Sequence, residues 1–153
     1  MKKKLLGLLP ALLAFNAHAD ELMNFAELKS AIQNGQNINI VVFVDQCQPN
    51  KNSPDPIAVT GAFRPTAFMI VKDQILASDL HFTRNNPGYK EKSIFEFVTY
   101  RFSADNSMVL QVQTLKAANY SPLGKESKLN CSIASSVKLF SDAHSAGLIL
   151  IKE

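Results

Sequence analysis

Asp79 and His81 stand two residues apart in Ile75 to Arg84, a segment rich in apolar and β-branched types. On a strand, residues i and i+2 share a face, so this spacing sets a carboxylate beside an imidazole. Such a pair serves metal binding or general-base work. It serves equally as a structural hydrogen bond on an exposed strand face. The spacing supplies no third ligand, so no metal is assigned and no catalytic residue is defined. Glu96 alternates with Ile94 and Val98. That places a carboxylate on an apolar face, where its acidity can be perturbed, or in solvent if the strand is an edge. Asp79, His81 and Glu96 together form the candidate polar site. His144 falls in a polar turn and reads as surface.

The motifs that announce common chemistries are missing. There is no G-x-S-x-G elbow, P-loop, G-x-G-x-x-G, H-E-x-x-H or EF-hand loop. This favours a non-enzymatic role and implies no cofactor. The only cysteines are Cys47 and Cys131, with no C-x-x-C pair and no histidine beside either. An even count of two allows one intramolecular pairing, and a Cys47–Cys131 disulfide is expected if the chain meets an oxidising compartment.

The N-terminus supplies that condition. Lys2, Lys3 and Lys4 precede an apolar run from Leu5 to Phe15, and Ala17-His18-Ala19 follows with small residues where a signal peptidase requires them. The run is too short to span a bilayer, which takes about 20 residues. Residues 1–19 therefore read as a cleaved signal peptide, and residues 20–153 as a single domain in the periplasm or outside the cell. No membrane anchor remains after cleavage. The charge balance changes with it. The chain carries 16 Lys and Arg against 13 Asp and Glu. Removing the three leader lysines leaves the mature domain neutral. Nucleic-acid binding, which depends on neutralising phosphates, loses its basic face.

Strands must do most of the positioning. Asn24 can cap a helix, Glu27 follows three residues on, Phe25, Leu28, Ala31 and Ile32 recur at helical spacing, and Gly35 marks the end. Beyond Gly35 the period becomes 2. Ile38 to Val44 alternates into Cys47, and Gln48 to Pro56 is a polar, proline-rich loop. Ile57 to Arg64, Ala67 to Lys72, Ile75 to Arg84, Ser93 to Ser103 and Met108 to Leu115 read as strands. So do Leu129 to Phe140, with a bend at Ser135-Ser136, and Leu148 to Ile151. The fold class is mainly β (α+β). One N-terminal helix is expected to pack on a curved antiparallel sheet, or a small β-barrel, of about seven or eight strands. Aromatic residues occupy both faces of Ser93 to Ser103. Core on one face and the helix on the other explains this, as does a ligand cavity inside a barrel.

The order of these features resembles the bacterial VirK family. The resemblance rests on the helix ending at Gly35, the strand into Cys47, Gly61 ahead of a strand, the Asp79-Leu80-His81-Phe82-Thr83 segment, Tyr100, and Cys131-Ser132-Ile133. It implies a small exported protein associated with bacterial virulence and carries over no catalytic residues. Three functions are open: a monomeric binding factor for a protein or envelope component, a carrier of small apolar ligands in a barrel-like interior, and an enzyme or metal protein using Asp79 and His81.

Overall fold

The computed structural model describes residues 19–49 and 59–142. The expected leader up to residue 18, most of the Gln48 to Pro56 loop, His144 and the Leu148 to Ile151 strand lie outside the described residues.

Helix α1, Phe25–Gln33, starts and stops where its end residues direct. Asn24 Oδ1 accepts the Glu27 N–H at 3.0 Å, and the Glu27 carboxylate reaches back to the Met23 N–H at 2.6 Å. At the other end Gly35 takes a φ of +71°, and the Gly35 and Gln36 N–H groups bond the carbonyls of Ile32 and Ala31. Phe25, Leu28 and Ala31 are buried in the main core, as the helical stripe requires.

The described residues hold ten strands, in two antiparallel sheets. The first comprises β1 (Ala19–Leu22), β10 (Val137–Asp142), β2 (Asn37–Phe43) and β4 (Thr60–Phe63), in that order. The second runs β3 (Gln48–Pro49), β9 (Ser127–Ser132), β8 (Ser107–Lys116), β7 (Ile94–Ser103), β6 (Gln74–Thr83) and β5 (Phe68–Val71). Period-2 alternation sends one face of each sheet inward. Ile38, Ile40, Val42, Val137 and Leu139 meet Ile75, Tyr100, Phe102, Met108 and Leu110 in a single core.

One expected strand proves to be two, and another is shorter than expected. The Ile38 to Cys47 run ends as strand at Phe43 and turns through Val44–Gln46, and β3, in the other sheet, occupies Gln48 and Pro49 at the start of the segment expected as a loop. The Leu129 to Phe140 run breaks at residues 133–136, where Ala134 adopts a φ of +66° and Ser136 is buried with its hydroxyl on the Ser132 N–H at 2.8 Å. Because β2 pairs β10 and β3 pairs β9, one ladder bends around a corner from the first sheet into the second. Cys47 and Cys131 sit at that bend, and their disulfide bridges a separation of 84 residues.

The barrel alternative is corrected. Among the described residues, strands β1 and β4 are the edges of one sheet and β3 and β5 of the other, so the ladder does not close. Beside the corner, Asn106 in the β7–β8 turn ties the second sheet to the helix and to the break. Its Oδ1 accepts the Phe25 N–H at 2.8 Å and its carbonyl accepts the Ile133 N–H at 3.0 Å. Asn106 has a φ of +64°, a conformation asparagine tolerates well. Asn106→Gly preserves that backbone but removes the oxygen that caps the helix. It is expected to lower stability by about 1–2 kcal/mol in urea unfolding. An unchanged midpoint would show that the cap contributes nothing.

Candidate functional site at the open seam and the outer sheet face

Register brings the predicted polar residues together on the inward face of β6 and β7. His81 lies opposite Glu96, and Asp79 opposite Val98. His81 Nε2 stands 2.7 Å from Glu96 Oε2, and Asn86 Nδ2 donates to the other Glu96 oxygen. Glu96 is thus on the apolar face rather than in solvent, with its side chain 18% exposed. Asp79 does not join this pair. Its Oδ1 accepts the neighbouring Leu80 N–H at 2.9 Å. Among the described residues no three His, Cys, Asp or Glu side chains gather closely enough to hold a metal ion. The arrangement is therefore an imidazole–carboxylate pair fixed by an amide, with Asp79 to one side.

This pair lies at the seam where a barrel would have closed. Phe63 on edge strand β4 spans it, with its ring 6.5 Å from His81 and 5.6 Å from Tyr100, edge-on to the latter. The ring folds back over Gly61. A Cβ there would meet Phe63 Cε2 at 2.5 Å, so glycine is what lets the ring lie down. Gly61, Asp79, His81 and Tyr100, all among the positions that carry the family resemblance, come to one place in the fold.

Tyr100 is buried beneath, and among the described residues its hydroxyl has no hydrogen-bond partner. Burial, and secondarily the negative charge of Asp79, push its pKa far above the ordinary phenol value of 10.0. Because the folded pKa is raised, the stability it contributes is complete below pH 10.0 and is lost as pH rises toward the folded value. Tyr100→Phe removes this ionisation together with an unsatisfied polar atom. We expect the variant to gain about 1 kcal/mol at neutral pH and to unfold at higher pH than the parent. Alkaline unfolding followed by phenolate absorbance checks both, and a destabilised variant would mean that the hydroxyl is satisfied.

The opposite face of the same sheet is unlike a solvated surface. Leu80, Phe82, Phe97 and Met69 are 45%, 54%, 40% and 61% exposed. Phe82 packs edge-on against Phe95, and Tyr120 stacks on Phe95 at 5.0 Å. The two-faced aromatic strand is thus not sandwiched between core and helix. The helix instead turns its Phe25, Leu28 and Ala31 stripe into the core, and the second face carries these exposed apolar side chains among the described residues. Strand β5 pairs β6 only as far as Ala77, and beyond it no strand among the described residues pairs the β6 edge. Beside that edge runs a groove of about 530 Å³, with Met69, Leu76 and Phe97 on its walls and Ser78, Thr99, Arg101 and Gln111 in its lining.

Sequence reasoning missed Arg101 and Tyr100 as site residues. Alternation contained the signal for Arg101, which shares a face with Phe97 and Thr99 while Tyr100 and Phe102 point the other way. Tyr100 was marked only by the family resemblance, since its unpaired hydroxyl depends on burial in the folded protein.

This is a two-sheet β protein stapled at one corner, with a polar seam at its open side and an apolar outer face. The VirK protein family model matches residues 21–120, and the chain belongs to that family. It is 28% identical over 131 residues to the uncharacterized protein y4wH of Sinorhizobium fredii, covering 84% of this chain and 88% of the relative. Its fold is similar to the crystal structure of lpg1832, a VirK family protein from Legionella pneumophila. The TM-score is 0.71 at 25% identity, over 78% of this chain and 98% of that one.

Proposed function

We propose that this VirK family chain is an exported, non-enzymatic binding factor that engages a protein or envelope component through the outer face of its six-stranded sheet. The observation that carries this reading is the run of exposed Leu80, Phe82, Phe97 and Met69 on one face. Monomeric proteins rarely leave such patches uncovered, and large ones mark interaction sites. Export rests on the Lys2 to Ala19 pattern, and the Cys47–Cys131 disulfide suits an oxidising compartment. The family's association with bacterial virulence supplies the setting.

The export half has a direct test. Intact mass of the protein recovered from a periplasmic extract should correspond to a chain starting at Asp20 and lacking two hydrogens. A chain that retains Met1, or that carries two alkylatable thiols, would contradict it.

A further inference from the structure

We propose that the groove beside Arg101 binds a single-chain anionic amphiphile, with its charged head on Arg101, Ser78 and Thr99 and its acyl chain along Phe97, Leu80 and Phe82. The inference rests on the outer face being the binding surface, and it names the class of ligand.

Three observations meet here. The first is charge. Arg101 makes no salt bridge among the described residues and lies directly across from Leu76, with Phe97 and Thr99 on its own strand and face. A guanidinium set among apolar side chains recognises carboxylate or phosphate by charge-assisted hydrogen bonds. The second is donor inventory. Ser78 and Thr99 face each other across β6 and β7, and neither hydroxyl is engaged by another described side chain. Gln111, by contrast, has committed its amide to Glu126. Two free hydroxyls and a free guanidinium thus line one cavity, and all of them can donate to an anion.

The third is shape. A groove of about 530 Å³ is within the range that holds small molecules. Phe97 is in its lining, and from there Leu80, paired with Phe97, and Phe82, paired with Phe95, continue the same face of the sheet. The distance from Ser78 to Phe82 is about 13 Å at ~3.3 Å per residue, which suits a chain of roughly ten carbons lying along the strands. Polar donors at one end and an apolar track leading away from them form the complement of an amphiphile. A wholly apolar ligand would leave the donors unpaired, and a bare anion would leave the track empty.

The shared chemistry is an anionic head on one acyl chain, available as a free fatty acid or as a monoacyl phospholipid. Titration calorimetry on the oxidised protein would use four probes: decanoate, decanoyl lysophosphatidylglycerol, decanol and acetate. We expect one-to-one binding of decanoate or the lysophospholipid, about ten-fold or more tighter than decanol or acetate. Whichever of the two anionic amphiphiles binds more tightly identifies the source. Arg101→Gln should remove that preference, Arg101→Lys should restore part of it, and Ser78→Ala with Thr99→Val should weaken binding several-fold. Arg101 and Ser78 are exposed and Thr99 is half-buried on the same outer face, so melting temperatures should move little.

Equal affinity for decanoate and decanol, or indifference to Arg101→Gln, would overturn the proposal. So would an acidic peptide that binds more tightly than either amphiphile and depends on Arg101. If no amphiphile binds while Leu80→Ser with Phe97→Ser still abolishes envelope retention, the ligand class is wrong and the binding face stands. If both experiments fail, both readings fall.

Discussion

Replacing Cys47 and Cys131 together with alanine is expected to lower the unfolding free energy by about 4 kcal/mol. The bridge closes a separation of 84 residues, and chain-entropy cost grows with loop length. Its position adds to the expectation. The β2–β10 ladder passes into the β3–β9 ladder at this corner, and β3 supplies only Gln48 and Pro49 to its sheet. Two paired residues cannot hold a strand against fraying, so the disulfide does most of the holding. Urea unfolding of the double variant, set beside the parent in reductant, checks this. Both should show the same shift in midpoint, and β9 amides should exchange faster in both. A loss below about 1 kcal/mol would mean that packing of Val42, Val137 and Ile133 maintains the corner without help.

The second large effect contrasts two phenylalanines of one strand. Phe102 points inward and is fully buried among Ile75, Met108 and Leu110, so Phe102→Ala should cost about 3–5 kcal/mol. Phe97 points outward and is 40% exposed, so Phe97→Ala should cost about 1 kcal/mol or less. Thermal unfolding of the pair decides whether the outer face is a surface or a second core. Comparable losses would mean that it is covered in the isolated protein. A small loss at Phe97, together with loss of partner binding, is the pattern of a residue kept for interaction.

Much of this was legible from residue order. Asn24, Glu27 and Gly35 bounded the helix because capping is local chemistry. Alternation put Asp79 and His81 on one face because period 2 is local too, whereas Glu96 joins them through the β6–β7 register, which is not local. The corner was not legible. Leu129, Cys131, Val137 and Leu139 keep one register across the break, so the run reads as a single strand while its halves enter different sheets. The barrel expectation failed for a related reason. Closure depends on whether β4 reaches β5, and no residue pattern in Thr60–Phe63 states that it stops short and inserts Phe63 instead. Alternation also shows which residues share the outer face of β7, but it does not show that nothing covers them.

The exposed outer face of the six-stranded sheet carries the proposed function. The most direct test compares the oxidised parent with a Leu80→Ser, Phe97→Ser double variant for co-sedimentation with an envelope fraction of the host bacterium. Disulfide content and melting temperature are measured alongside. The account predicts retention of the parent and about ten-fold or greater loss in a variant that is still folded and oxidised. Equal retention of the two proteins, or retention of neither, would contradict it.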